Sequence, residues 1–372
     1  MDNPFKNFFG KGDTNVIGID IGSSAIKVVQ LSKVRGRAVL KTYGSLALGP
    51  YANLAIGQAT NLSSDKLSEA IKDLLRESNV TTVNSGVSIP LRSSLVTLIE
   101  MPAFSEDKLK DMIPIEARKF IPVPISEVTL DWWVIPREEE KAFDFDPESE
   151  AKKPTRQDKT EVLLVSIHNE VLQGYNSIVQ SAGLRTSFFE IEMFAAIRAL
   201  VEHEIAPVAI FDMGAVATKI YISERGVVKE SHIINKGSQD ITISISKGLQ
   251  VTIEKAEKIK RNLGEGSVSD QKSVYDIVSL TLDYIFSEAG ALILAYQKKH
   301  NKSIAKVYLT GGGVAMQGFF DIARSRFETE VVLGNPFGKV DAPAFLSDLL
   351  KQAGLDFAVA VGIALRKLQE LN

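Results

Sequence analysis

The chain has 372 residues, more than one hydrophobic core usually serves, so two or more domains are expected. Apolar residues make up 45% and charged residues 24%, an ordinary globular profile, and 43 basic against 46 acidic residues leave no basic field, which argues against nucleic acid as a partner. Cysteine is absent, which excludes disulfides, thiolate metal sites and cysteine nucleophiles, and the four histidines, His168, His203, His232 and His300, lack metal-ligand spacing.

The apolar stretches, Ala289 to Tyr296 among the longest, fall short of the roughly 20 residues that a membrane span needs. The start, Met1-Asp2-Asn3-Pro4-Phe5, has no apolar signal region. A cytoplasmic protein is expected, with membrane association through partners and no direct insertion. Residues 1–13, with Phe5, Phe8 and Phe9, are expected to form a docked strap or a frayed end.

Val16 to Asp20 has the pattern of a buried strand, Gly22-Ser23-Ser24 that of a turn, and Ile26 to Leu31 that of a returning strand. A helix follows, with Leu67, Ile71, Leu74 and Leu75 at helical spacing and Ser64 as N-cap. Gly86 to Met101 divides into two strands at Pro90, and a helix opening after Ser105 is expected to kink or restart at Pro114. The run Ile121-Pro122-Val123-Pro124-Ile125 must be extended. Beyond a strand that carries both tryptophans, residues 137–160 are densely charged, acidic first and then basic, and are expected to be a solvated loop.

Order resumes with a strand from Glu161 and a helix that stops at Gly183. Pro207 to Phe211 is a strand running into Asp212-Met213-Gly214-Ala215, and Lys219 to Ile222 returns beside it. Helices dominate 239–300, Val307 to Thr310 is a strand meeting Gly311-Gly312-Gly313, and a last helix runs from about Phe357. The hairpin with an acidic tip thus occurs twice, which suggests two related α/β domains facing one cleft.

Each hairpin has a chemical reading. The small tip Gly22-Ser23-Ser24 lets backbone N–H groups converge on an anion. Asp20 at the strand end suits a hydrated Mg2+, and Lys27 suits a phosphate. Asp212 would share the ion, with Gly214, Ala215 and the Thr218 hydroxyl as further donors. Gly311, Gly312 and Gly313 permit close approach of a flat ring or a phosphate. Glu257 and Lys260 share a helix face and could clamp an adenosine or be a surface ion pair.

In this order, the four motifs resemble the actin, hexokinase and heat-shock chaperone ATPase superfamily. The resemblance implies ATP and Mg2+ as ligands, with phosphates at the hairpins and adenosine between the glycine turn and the Glu257–Lys260 helix. Ala360-Val361-Gly362-Ile363-Ala364 has the small residues that the close packing of two connecting helices requires. Met101-Pro102, Ser105-Glu106, the run from Ile113 to Ile125, Leu130-Asp131-Trp132 and Phe189 to Ala195 narrow this to a resemblance to the type IV pilus assembly protein PilM family. That family is similar to the cell-division protein FtsA. Met193 stands where the family pattern has proline, and the 137–160 loop is longer than expected.

The resemblance implies an actin-like (ribonuclease H-like) α/β fold of two domains with a small inserted α/β subdomain. The expected division is 1–85 and 161–206 for the first domain, 86–160 for the insert, and 207–372 for the second, with a helical part near 237–302. It also implies a cytoplasmic scaffold that binds the N-terminal tail of the inner-membrane protein PilN and contacts other inner-membrane and motor components of the pilus, with self-association left open. ATP would act mainly as a structural ligand. Glu192 is the candidate for positioning an attacking water and Glu190 the second, and both could instead be structural carboxylates. Ile121 to Ile125 is expected to wall a groove for an extended peptide. A small-molecule kinase would need a sugar-binding cluster, and none is evident. An FtsA-like tether or a type II secretion component would be expected to continue past the last helix into a membrane-binding segment.

Overall fold

In a computed structural model, residues 14–102, 104–135, 159–202, 204–263 and 268–371 are described. The strap expected over 1–13 and nearly all of the charged loop expected over 137–160 lie outside them.

The first hairpin is β1 (Asn15–Ile21) and β2 (Ala25–Val34), and β3 (Arg37–Ala47) continues it antiparallel. Helix α1 (Ser64–Glu77) leads to β4 (Asn84–Ile89), which pairs parallel with β1. Its N-cap is Ser63, one residue before the expected Ser64, with the hydroxyl accepting from the Lys66 N–H. Strand alternation puts Ile17, Ile19 and Ile21 on one face, buried against Ala70, Ile71 and Leu74 of α1.

The chain then leaves this sheet. β5 (Ser94–Pro102), α2 (Glu106–Ala117), β6 (Val128–Val134) and β7 (Lys159–His168) form a separate antiparallel sheet in the order β5-β7-β6, with α2 on one face through Leu109, Ile113 and Ala117. α3 (Asn169–Ser181) leads back to β8 (Arg185–Ile191), which joins β4. The inserted sheet therefore begins after Ile89 and ends at His168, not at 86 and 160. Gly86 to Ile89 still pair within the first sheet, and Glu161 to Ile167 pair with β5 and β6.

One local expectation in the insert needs correction, and the proline run packs partly inward. Pro114 lies inside α2, which continues unbroken to Ala117; so near the helix end, the missing N–H removes one bond without ending the helix. In the proline run, Ile121 is buried and Val123 and Ile125 are packed on the insert's own core, while Pro122 and Pro124 face out. The run closes the insert, with Val123 only partly covered.

α4 (Glu192–Leu200) connects to the second half. There β9 (Val208–Met213), β10 (Thr218–Glu224) and β11 (Val227–Ile234) are followed by α5 (Ser238–Leu249), α6 (Ile253–Arg261) and α7 (Val268–His300). β12 (Lys306–Thr310), α8 (Phe319–Arg326) and β13 (Glu330–Leu333) complete the sheet, and α9 (Ser347–Gly354) and α10 (Ala358–Gln369) end the described chain. The strand orders β3-β2-β1-β4-β8 and β11-β10-β9-β12-β13 follow one plan, so the repeat read from the hairpins extends to whole sheets.

α7 corrects another expectation, because residues 273–300 are long and apolar enough by composition to cross a membrane. One face of the helix, from Val274 through Leu282, Ile285, Phe286 and Ile293 to Tyr296, is buried on the second sheet. Phe286 stacks on Phe211 of β9 at 5.5 Å, and the Tyr296 hydroxyl donates to Glu224. These contacts make it a core helix.

α10 lies across β1 and against α4 at backbone distance. A Cβ on Gly18 would sit 2.5 Å from the Ala364 nitrogen, and a Cβ on Gly362 would overlap the Ala195 carbonyl. Gly362→Ala and Gly18→Ala should each therefore lower stability by about 1–3 kcal/mol, the usual range for overpacking. In α3, by contrast, a Cβ on Gly174 meets nothing, so Gly174→Ala should be stabilising by about 0.5–1 kcal/mol. Thermal or urea unfolding of the three variants checks this ordering.

Candidate functional site

The two hairpin tips are built alike. In β1–β2, Asp20 faces Lys27 across the ladder, and the Gly22 N–H donates to the Ala25 carbonyl at 3.1 Å. In β9–β10, Asp212 faces Lys219, and the Gly214 N–H donates to the Ala217 carbonyl at 3.0 Å. Alternation puts Asp20 on the face of Gly18, under α10, and Asp212 on the face of Val208 and Ile210, toward α4. Both carboxylates emerge where the strands run out from beneath the connecting helices.

They open into one cleft of about 530 Å³. Its lining brings together Asp20, Gly22, Ser23, Ser24 and Lys27 of the first hairpin, Asp212, Gly214 and Ala215 of the second, and Glu192 at the start of α4. Glu257 and Lys260 of α6 line it with Gly311, Gly312 and Gly313. Two expected residues lie elsewhere. Thr218 is fully buried and its hydroxyl donates to the Lys236 carbonyl at 2.9 Å, so it serves the hairpin. Glu190 is buried away from the cleft, where it accepts from Arg198 at 2.6 and 2.7 Å and from Arg366 at 2.8 Å. Of the two alternatives left open for Glu190, the structural one holds, because it joins α4 to α10.

Charge is dense at the hairpin end of the cleft. The Asp20 Oδ1 accepts from the Ser88 hydroxyl at 2.8 Å, and Lys27 Nζ lies 4.0 Å from Asp20 and 3.4 Å from Asp356. Burial would lower the Lys27 ammonium, but Asp356, Asp20 and Asp212 outweigh it and hold it above the usual lysine range. Lys219 Nζ is 2.6 Å from Glu192 Oε2 and 3.3 Å from Asp212 Oδ2. It too is held cationic against burial, by Asp212 and Glu192. Burial raises the Glu192 carboxyl, and Lys219 works in the opposite direction. The other Glu192 oxygen accepts the Leu91 N–H at 2.8 Å, at the root of the insert.

At the other end, Lys260 and Glu257 are 2.7 Å apart, and both touch the Thr242 hydroxyl. Burial lowers Lys260 in spite of Glu257, whereas Lys260, Thr242 and Arg261 hold Glu257 low against its burial. This pair lies within the cleft lining and is no solvated surface bridge. Gly311, at φ +92°, could not carry a Cβ without meeting Asp212 Oδ1 at 2.5 Å, and Gly312 would meet Asp356 at 2.7 Å. The triple glycine thus lets the turn after β12 pack against the second hairpin and the turn before α10.

Sequence reading missed Lys219 and Asp356. The signal for Lys219 was present: Lys27 and Lys219 each stand seven positions after their aspartate, 27 − 20 and 219 − 212. Asp356 had no local signal, since it reaches Lys27 from the far end of the chain.

The chain is similar to several proteins of this architecture. The solved PilM-PilN type IV pilus biogenesis complex matches with a TM-score of 0.77 and 23% identity, covering 95% of this chain and 98% of that one. An MreB protein of Spiroplasma citri bound to AMPPNP matches at 0.53 and 10% identity, covering 97% and 98%. Ethanolamine utilization protein EutJ from Carboxydothermus hydrogenoformans matches at 0.52 and 13%, covering 94% and 89%. These likenesses show the actin-like two-domain ATPase fold with its small inserted α/β subdomain. The cell division protein FtsA of Bacillus subtilis is 25% identical over 59% of this chain and 54% of its own, and the chain spans about half the length of the curated relatives it matches. The family model for type IV pilus assembly protein PilM matches residues 18–368, which takes in both hairpin tips, the insert, α4 and nearly all of α10. The chain belongs to the type IV pilus assembly protein PilM family.

Proposed function

We propose that this chain is an ATP-binding scaffold of the type IV pilus machinery, held at the cytoplasmic face of the inner membrane by partners, which captures the N-terminal tail of a PilN-like membrane protein. The observation that carries the proposal is the family match over residues 18–368. The solved PilM-PilN complex, similar across nearly the whole of both chains, supports the choice of partner, and other inner-membrane and motor components are expected beside it.

The donor set of the cleft suits a nucleotide. Two hairpin tips with small residues supply backbone N–H groups, Lys27 supplies positive charge, and Glu257 and Lys260 form a polar wall opposite the glycine turn. Asp20 and Asp212 would hold Mg2+. Among the described residues no group of three acidic or histidine side chains gathers to bind a metal alone. Such an ion would therefore need phosphate oxygens and water as well, as Mg2+ usually does. A nucleotide spanning the cleft stabilises the state that binds it in proportion to its differential affinity, and so can fix the angle between the domains without turnover.

For the peptide, the insert offers β6, an edge strand of its sheet among the described residues, with Trp133 half exposed on it. An extended tail can add to such an edge through main-chain bonds while an aromatic side chain anchors it.

Three outcomes are expected. Asp20→Ala combined with Asp212→Ala should weaken Mg2+-dependent ATP binding by at least about tenfold, or about 1.4 kcal/mol; unchanged affinity by calorimetry would remove both residues from the site. Steady-state ATP turnover by the wild type should stay below roughly one per second, the low end of ordinary enzyme rates. A labelled N-terminal PilN peptide should bind the full chain saturably, and Trp133→Glu should weaken it by about tenfold, as loss of an aromatic anchor does. Wild-type protein that ignores the peptide yet binds lipid vesicles would defeat the adaptor reading.

A further inference from the structure

The two lysines of the repeat occupy equivalent places but have different neighbours. Lys27 is 3.4 Å or more from its carboxylates and stands at the cleft wall. Lys219 is lodged between Glu192 at 2.6 Å and Asp212 at 3.3 Å. Glu192 is buried and its remaining oxygen is held by the Leu91 N–H. Glu192, a carboxylate of the cleft lining at the start of α4, is thus engaged at both oxygens.

A general base must offer a lone pair to the proton it removes and must gain a proton readily. An ammonium at contact distance opposes both, since it occupies the oxygen and favours the charged carboxylate. We infer that Lys219 is a positioning residue that ties Glu192 to Asp212 and so keeps the cleft in a state that holds nucleotide and hydrolyses it slowly. This rests on the ATP-binding reading and adds regulation of the same site. In hydrolysis, the oxygen of water bonds to the γ-phosphorus as its bond to the bridging oxygen breaks; ADP leaves with the electron pair, and the proton from water passes to a carboxylate and then to solvent. Glu192 takes that proton when water replaces the Lys219 ammonium at Oε2. The same ammonium also competes with a divalent cation for Asp212.

The test uses the full chain with Lys219→Met, read by ATP turnover and by calorimetry with ATP over a range of Mg2+ concentrations. Turnover should rise about tenfold or more, inside the range a general base contributes, while KM for ATP moves by less than about threefold, the split expected for a step after binding. The Mg2+ concentration for half-maximal ATP binding should fall. Lys219→Arg should keep the slow wild-type rate, and adding Glu192→Gln to Lys219→Met should abolish the gain. An unchanged or lower rate in folded Lys219→Met, or a gain that survives Glu192→Gln, overturns the inference. Should Lys219→Met fail to fold by circular dichroism, Lys219→Gln takes its place; if both are unfolded, Lys219 is a structural residue and the inference is equally overturned. Wild-type protein that binds no ATP by calorimetry would instead count against the proposed function.

Discussion

A carboxylate at a buried strand end must find positive charge or hydrogen-bond donors, because an uncompensated buried charge costs several kcal/mol. The chain meets that demand at Asp20 and Asp212 by placing a lysine directly opposite each in the hairpin ladder. Other features of the cleft follow from these pairs. The tips beyond them must be small so that backbone donors remain open. The turn after β12 must be glycine because a Cβ on Gly311 would lie 2.5 Å from the Asp212 carboxylate. The helices that cover the strands must stop short so that the carboxylates emerge into the cleft.

The connecting helices supply the second constraint. α10 approaches β1 and α4 so closely that Gly18 and Gly362 leave no room for a methyl group. Arg198 then clamps this junction, bonding both to Glu190 and to the Gly362 carbonyl. Glu192, two residues beyond Glu190, turns the other way into the cleft and holds the Leu91 N–H. One short stretch therefore joins the helix pair, the hairpin of the second domain and the first turn of the insert. A shift at the hairpin end of the cleft has a direct hydrogen-bonded route to the subdomain proposed to bind the partner. Such a connection is a physical path for coupling, and its energy is what mutational cycles would measure.

Much of this was legible in the chain itself. Strand alternation, the Asp-x-Gly tips, the glycine turn and the small-residue stretch from Ala360 to Ala364 depend on the types and spacing of neighbouring residues, so their hairpins, turns and close-packed helix could be read locally. The internal repeat made the two-domain plan visible, and the segment from Met101 to Trp132 pointed to the insert. The seven-residue interval from aspartate to lysine, present in both hairpins, also made Lys219 readable.

What the sequence could not decide was which face of each element would be covered, and by what. Glu190 and Glu192 are equally acidic and almost adjacent, but the first ends a strand beneath two arginines and the second begins a helix at the cleft. Thr218 sits beside cleft residues yet its hydroxyl turns to Lys236. The proline run looks exposed until α2 and the small sheet draw its apolar residues inward. α7 has the composition of a membrane span until the second sheet buries one side of it. By itself, the sequence determined the local conformations and the charges placed on them, because those arise from neighbouring residues. Only the tertiary structure decided which charges meet, because the Lys219–Glu192 and Lys27–Asp356 pairs are made by segments distant in the chain and brought together by packing.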